Sequence, residues 1–377
     1  IFDGKSDIYL VPNYSQVEQV IIRGPFLQSN LINLPTSISL LRSTDLQKTP
    51  GIVYMEDLNR LPGIYVHSGN LNTNRITIRG IGSRTPYGTN RIKAYFNDIP
   101  LTSGDGTTSL EDIDPAMINT IEIIKGSKSA VYGSGLGGVI IISGRNYFDE
   151  GVHGYANFEA GSFGTLNPKI NLTCKQGKFT TTATYTYASS DGWRQNSSLF
   201  KHSGHLYTSF QTKRNKADIL FHFIDMKAYI PSSLSEETFN IAPDSAARNW
   251  LAVNGYEKSK RILSGIRNNF RISEKLRNTT VLFFNYYQGY ESRPFNILAD
   301  NGLQGGLKSN FNYSIGKWDF KLGIEMMAEK YSWQVYETNA GIQGSLLNSF
   351  SELRNPVNLF ALGALTFNNG GLIEVGL

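Results

Sequence analysis

The stretch RITIRGIGSRTPYG (residues 75–88), IKAYFNDIPLTSGDG (92–106) and INTIEIIKGSKSAVYGSGLGGVIIIS (118–143) decides how this chain is read. ITI, IKAYF, TIEII and VIIIS are short runs rich in β-branched and aromatic residues, separated from one another by clusters of turn residues. The pattern predicts short strands joined by tight turns, which is a small compact sheet domain. Asn97 and Asp98 can form the central turn, because both residue types tolerate positive φ.

Outward from this stretch, composition narrows the class. The chain has 377 residues, more than one average domain. No apolar run approaches the ~18 residues of a membrane helix, so a helical membrane protein is not expected. Aromatic residues make up 12%, with 20 Tyr and 21 Phe against 5 Met, which suits the aromatic girdles of a membrane barrel. The net charge of +5 is not gathered in a basic run, so no nucleic-acid partner is implied. The one cysteine, Cys174, excludes an internal disulfide or a multi-cysteine metal site and reads as a small strand residue.

After residue 145 the strands lengthen. They are expected near 151–160, 167–176, 179–189, 202–213, 216–227, 260–272, 276–288, 306–315, 318–335, 357–367 and 371–377. Tight turns at 177, 214–215, 273–275, 316–317 and 368–370 alternate with longer connections at 190–201, 228–259, 289–305 and 336–356; 161–166 is short. Short turns on one side and long loops on the other mark an outer-membrane barrel. Trp318, Phe320, Leu322, Ile324 and Met326 share one face, and Lys317, Asp319, Lys321 and Glu325 the other. Phe179, Thr181, Ala183, Tyr185 and Tyr187 alternate with a row of threonines in the same way.

Four motifs, PGIYV from Pro62, IRG at 78–80, YFNDIP, and IEIIKGSKSAVYGSGLGGVI, follow one another in an order that resembles the plug domain of TonB-dependent outer-membrane receptors. Two departures stand out: Asn97–Asp98 where the family usually has Asp-Gly, and Lys125, Gly126 and Ser127 where it often has Arg-Gly-Pro. The resemblance implies a small α+β plug domain followed by a transmembrane antiparallel β-barrel in a Gram-negative outer membrane. About 11 of the family's roughly 22 strands, the first half, are expected here. It also divides the chain: 1–16 as the remnant of a preceding small β-domain, 17–33 as TonB box and linker, 34–145 as plug, and 146–377 as partial barrel. Within the plug, a helix capped by Thr49, with Pro50 at its first position, is expected to end at Arg60.

The chemistry reads as follows. GSGLGG (133–138) matches the dinucleotide fingerprint only formally, since it precedes a strand instead of opening a helix. His202 and His205 lie three apart, which on a strand puts them on opposite faces. No catalytic residue, metal site or cofactor is expected, and the chain is not expected to be an enzyme. By resemblance Val17, Glu18, Gln19, Val20, Ile21 and Ile22 form the TonB-binding segment, gripped by strand addition; read alone they are a linker strand without an obvious partner. Arg79 is expected on a plug strand facing the wall. Arg84, Tyr87 and Arg91 are expected at the plug apex, where guanidinium groups suit carboxylates of an anionic ligand.

The function these readings support is energised import of an iron(III) chelate, a siderophore or ferric citrate, with TonB and outer-membrane lipid as partners. A cobalamin or oligosaccharide importer of the same superfamily is the alternative. From another class, a β-rich surface adhesin or binding protein would share the strands without entering a membrane.

Overall fold

The computed structural model describes residues 21–22, 29–30, 37–46, 51–71, 73–84, 91–102, 108, 110, 113–126, 129–133, 135–144, 149–368 and 371–377. Its first element is a two-residue ladder, β1 (Ile21–Ile22) antiparallel to β2 (Ser29–Asn30). The expectation that 17–24 has no partner strand is corrected. A ladder needs only backbone N–H and C=O groups, so Ser29–Asn30 serves although it carries no apolar strand signal. Val17, Glu18, Gln19 and Val20 lie outside the described residues, as do residues 1–16.

β3 (Ile38–Arg42) leads into one helical turn, α1 (Ser43–Leu46), where the Asp45 carboxylate accepts from the Arg42 N–H at 3.2 Å. The helix expected to end at Arg60 is a 3₁₀ helix, Gly51–Arg60; Thr49 and Pro50 lie outside the described residues. It buries Tyr54, Met55 and Leu58, and the Tyr54 hydroxyl reaches the Leu110 and Ile113 carbonyls at 2.6 and 2.7 Å. The hairpin β4 (Ile64–Asn70) and β5 (Thr73–Ile78) follows, then β6 (Ile92–Phe96), β7 (Ile99–Pro100), β8 (Ile118–Lys125), α2 (Ser129–Tyr132) and β9 (Gly138–Gly144).

Five of these strands form one sheet in the order β3-β8-β9-β6-β7, with only β6 and β9 parallel. β9 is buried along almost its whole length, which explains why GVIIIS shows no apolar/polar alternation. Gly138 shows what the glycine run does. At φ +142° a Cβ there would lie 2.3 Å from the Ile124 carbonyl oxygen, so only glycine lets β9 pass this close to β8.

From Gly151 the chain builds one antiparallel sheet: β10 (Gly151–Gly161), β11 (Thr165–Gln176), β12 (Phe179–Ser190), β13 (Leu199–Gln211), β14 (Asn215–Tyr229), β15 (Tyr256–Arg271), β16 (Leu276–Ser292), β17 (Ile297–Ile315), β18 (Trp318–Asn339), β19 (Ile342–Arg354), β20 (Val357–Thr366) and β21 (Leu372–Gly376). β18 pairs with β19 along its far half and with β20 along its near half. The pairs Glu329↔Arg354 and Met326↔Val357 keep one register, so β19 and β20 form a single pass interrupted at Asn355 and Pro356. Proline has no N–H to give to the ladder. The 12 strands of this sheet, less one, make 11 passes among the described residues.

Two expected loops are corrected. Residues 289–305 and 336–356 are mostly strand: β16 runs to Ser292 and β17 starts at Ile297, while β18 reaches Asn339 and β19 starts at Ile342. Asn301, Gly302 and Gly305 read as turn residues, yet all pair in the ladder. Gly306, where the expected strand begins, is closely packed: a Cβ there would lie 2.5 Å from the Phe283 ring that crosses it. Long connections remain at 191–198 and at 230–255, the latter carrying α3 (Glu236–Ile241) and α4 (Arg248–Ala252).

The two faces of the wall differ as alternation requires. Trp318, Phe320, Leu322 and Met326 are exposed on the outer face, and Glu325 and Glu329 are buried on the inner one. Thr182, Thr184 and Thr186 are likewise buried, opposite an exposed Phe179 and Tyr185. β18 has 22 residues, about twice the ~9–11 that a tilted strand needs to cross a bilayer. Its outward row is apolar from Trp318 to Ala328 and turns polar at Lys330, Ser332 and Gln334. Leu322→Arg, in the middle of that row, is expected to destabilise the full-length protein in lipid vesicles by about 2–4 kcal/mol, and Thr338→Arg by no more than about 1 kcal/mol. Denaturant titration followed by tryptophan fluorescence measures both, and equal costs at the two positions would place this sheet outside a membrane.

Candidate functional site

The inner face of the wall packs on the N-terminal domain. Tyr207, Leu220, Leu263, Val281 and Phe283 of the wall share one apolar cluster with Phe96, Ile99 and Ile118. Phe360, Leu362 and Ala364 share a second with Tyr95, Ile124 and Tyr132. Between these clusters polar groups pair individually. The Asp98 carboxylate accepts from Arg267 Nε at 2.8 Å, and the same guanidinium lies 3.8 Å from Asp218, which also accepts from the Tyr207 and Ser209 hydroxyls at 2.8 and 2.7 Å. Asp114 lies 3.6 Å from Lys169 Nζ and accepts from the Ala116 N–H at 2.7 Å. Lys308 is 2.9 Å from Glu325 and lies over the rings of Tyr95 and Tyr132, at 4.3 and 4.9 Å.

Main-chain carbonyls of the domain also meet the wall. Asn285 Nδ2 donates to the Pro100 carbonyl at 2.9 Å, and Gln304 Nε2 donates to Thr102 at 3.2 Å and to Glu329 at 2.6 Å. Burial and the Glu325 carboxylate raise the Tyr95 hydroxyl well above its ordinary pKa, so it remains a donor. Burial would raise Asp114, but Lys169, Thr186 and the Ala116 N–H outweigh it and hold the carboxyl below its ordinary value. Burial lowers Lys93, partly offset by Glu329 and Glu325.

These contacts orient β6. Lys93 lies in the field of Glu329, Tyr95 reaches Glu325, and Asp98 after the strand reaches Arg267 near the short-turn end of β15. Arg91 therefore enters β6 from the long-loop end. The Gly137 N–H donates to the Arg91 carbonyl at 2.9 Å, and Ile81 and Ile92 flank Gly137, which brings the turn carrying Arg84 to the same end. Arg79, Arg84 and Arg91 are all exposed there. Lys125 joins them: burial and the Arg79 charge lower its pKa, and its ammonium donates to the Pro62 carbonyl.

Arg79, expected on a strand, lies in the turn immediately after β5, at φ +50°, its N–H donating to the Gly63 carbonyl at 2.8 Å. The chain reverses there because Ile81 bridges back to Ile78. Tyr87 lies outside the described residues. His202 and His205 fall on opposite faces, His202 hydrogen-bonded to Tyr185 at 2.7 Å and His205 packed edge-on to Phe96. Among the described residues no group of three or more His, Cys, Asp or Glu is placed to hold a metal.

The residues that sequence reasoning missed are Asp98 and Asp114 and their wall partners. Asp98 was legible only as a turn former. An acidic turn beside buried strands, together with isolated cations such as Arg267 and Lys169 on inward strand positions, is the signal that points to such pairs.

Residues 30–139 match the TonB-dependent Receptor Plug Domain. A stretch of 108 residues is 32% identical to the hemin receptor of Yersinia enterocolitica, covering 28% of this chain and 13% of that protein. Among solved structures, the ferric citrate transporter FecA in its unliganded form aligns with a TM-score of 0.69 at 18% identity, over 91% of this chain and 59% of FecA. The ferripyoverdine receptor of the outer membrane of Pseudomonas aeruginosa aligns with a TM-score of 0.72 at 11% identity, over 90% of this chain and 50% of that one. At these identities the structural likeness is one of fold, and the chain spans 59% of the one structure and 50% of the other.

The Asp114–Lys169 pair carries a pH signature. A depressed folded pKa means that the unfolded chain holds the proton more tightly, so the stabilisation is present above the unfolded value of about 3.9 and is lost as pH falls through the folded one. Lys169→Met leaves a buried carboxylate without its cation and is expected to cost about 3–5 kcal/mol at pH 7. Urea midpoints of the full-length protein between pH 3 and 7 test this: with the cation gone burial raises the Asp114 carboxyl, so the deficit of the variant relative to the parent is expected to be largest at pH 7 and to shrink as pH falls. Parallel profiles would mean the pair contributes nothing.

Proposed function

We propose that this chain, which carries a TonB-dependent receptor plug domain over residues 30–139, is the plug and adjoining wall of an outer-membrane receptor importing an anionic iron(III) chelate. The carrying observation is the exposed basic end formed by Arg79, Arg84 and Arg91 on the side of the domain that faces the long loops. Guanidinium groups hold carboxylates through two parallel charge-assisted bonds, and a neutral ligand such as cobalamin or an oligosaccharide would make no use of them. The ligands named for three of the similar proteins, hemin, ferric citrate and ferripyoverdine, differ in chelate and share iron, while another protein of similar fold is a copper transporter.

On this reading 17–33 is the TonB-binding segment and linker, 34–145 the plug and 146–377 part of the barrel. The chelate binds at the apex through Arg84 and Arg91, and Tyr87 of the same segment is the aromatic contact that the resemblance implies. TonB adds a strand to the segment containing β1, which among the described residues is paired on one edge only, by β2. The Asp98–Arg267 and Asp114–Lys169 pairs keep the plug seated against the wall until it is pulled.

Uptake of radioactive iron supplied as ferric citrate, by cells producing the full-length protein, tests the reading. Ile22→Pro removes a backbone donor from the segment and is expected to abolish uptake while leaving surface binding intact. Arg84→Glu with Arg91→Glu is expected to weaken surface binding at least about tenfold, since a hydrogen bond to a charged group is worth about 1.5–3 kcal/mol. Absence of iron uptake from ferric citrate, hemin and a panel of siderophores, in cells that display the protein, would sink the iron assignment.

A further inference from the structure

Below the exposed Arg91, β6 carries a cation whose partner is taken. Lys93 and Tyr95 share one face of β6 and meet the inward row of β18, where Tyr95 reaches Glu325 and Lys93 lies in the field of Glu329. The Lys93 stem packs under Gly135, where an added Cβ would lie 3.4 Å from its Cγ. Among the described residues the Lys93 ammonium makes no ion pair, although Glu329 and Glu325 both attract it. The Arg354 guanidinium repels it, so two cations compete for the Glu329 carboxylate.

Glu329 is held differently at its two oxygens. Oε1 accepts from Gln304 Nε2 at 2.6 Å, and Gln304 also donates to the Thr102 carbonyl of the plug at 3.2 Å. Oε2 faces Arg354 Nη2 at 3.6 Å, across the β18–β19 ladder in which Glu329 and Arg354 pair directly. Arg354 has a second carboxylate, Glu352, at 3.8 Å. Both distances exceed a hydrogen bond, so charge alone holds the guanidinium, which is partly exposed on the inward side. Arg354 is also the last residue of β19, beside the interruption at Asn355 and Pro356.

We propose that Glu329 is a counter-charge exchanged between wall and plug: an anionic chelate seated at Arg91 draws the Arg354 guanidinium off Glu329 Oε2, and the freed oxygen takes the Lys93 ammonium. No charge is stranded in the exchange, because the chelate replaces Glu329 at Arg354 and Lys93 replaces Arg354 at Glu329. Gln304 keeps Oε1 throughout, so the carboxylate stays in place and only its partner changes. Lys93 lies in β6, which pairs with β9 in the plug sheet, so an occupied apex is reported to that sheet. Arg354 touches the chelate, whereas Glu329 and Lys93 are positioning residues. A bond made only in the occupied state must tighten the chelate by the factor with which the chelate favours the bond.

The inference rests on the import reading. Binding of radioactive ferric citrate, or of whichever of hemin and a panel of anionic siderophores the parent binds, is measured on cells displaying the full-length protein. Lys93→Met is expected to weaken binding about fivefold in the parent. In a Glu329→Gln background it is expected to change nothing, since the acceptor is gone. In an Arg354→Met background, which itself binds less tightly, it is also expected to change nothing, since Lys93 already holds Glu329 without chelate. Heat-modifiable gel mobility like the parent's shows that the variants are folded. A zero-length carbodiimide applied to the purified full-length parent needs no substitution, and the Lys93–Glu329 amide is expected to form severalfold more with chelate than without. No effect of Lys93→Met in the parent, an equal effect in all three backgrounds, or a cross-link indifferent to chelate overturns the exchange and leaves the import reading standing. A displayed parent that binds none of these chelates overturns both.

Discussion

A β-wall that turns apolar side chains outward must turn the alternate ones inward, and this single geometric constraint governs the rest of the structure. Trp318, Phe320 and Leu322 can face outward only if Asp319, Lys321 and Glu325 face the interior. Polar groups buried there need partners, because a lone charge out of water costs several kcal/mol. The N-terminal domain supplies many of them. Asp98 meets Arg267, Asp114 meets Lys169, and the carbonyls of Pro100 and Thr102 meet Asn285 and Gln304.

The same constraint explains the character of the interface. It is not a continuous apolar core, since two hydrophobic clusters are separated by charge pairs and by hydrogen bonds to main-chain carbonyls. Such pairs add specificity of seating more than net stability, because much of each Coulombic gain offsets desolvation. A domain held this way is located accurately and can still be released when its contacts are exchanged for water.

Above the apolar band the wall changes its chemistry. β16 to β19 continue well past the apolar band, and the outward row of β18 becomes Lys330, Ser332 and Gln334. The long strands replace what composition suggested were loops, so part of the outer rim is ladder. On the inner side of that height, Arg261 lies over Tyr287 and the Tyr331 hydroxyl donates to Asp300 at 3.1 Å.

Much of the architecture was legible in local chemistry. ITI, IKAYF, TIEII and VIIIS are strands because β-branched runs bounded by turn residues have few other options, and β18 shows its two faces in its own residues. What only the tertiary structure decided depends on pairing between residues far apart in the chain. Neither the partners of Asp98 and Asp114 nor the register that keeps β19 and β20 as one pass is written in any local window. The turn that exposes Arg79, and the strand identity of 301–305, likewise come from neighbours: Ile81 bridging to Ile78, and the β16 residues that pair with 301–305. Backbone propensity is a property of a few adjacent residues, whereas a ladder partner, a buried counter-charge and a ring crossing a glycine are set by whatever the fold brings alongside.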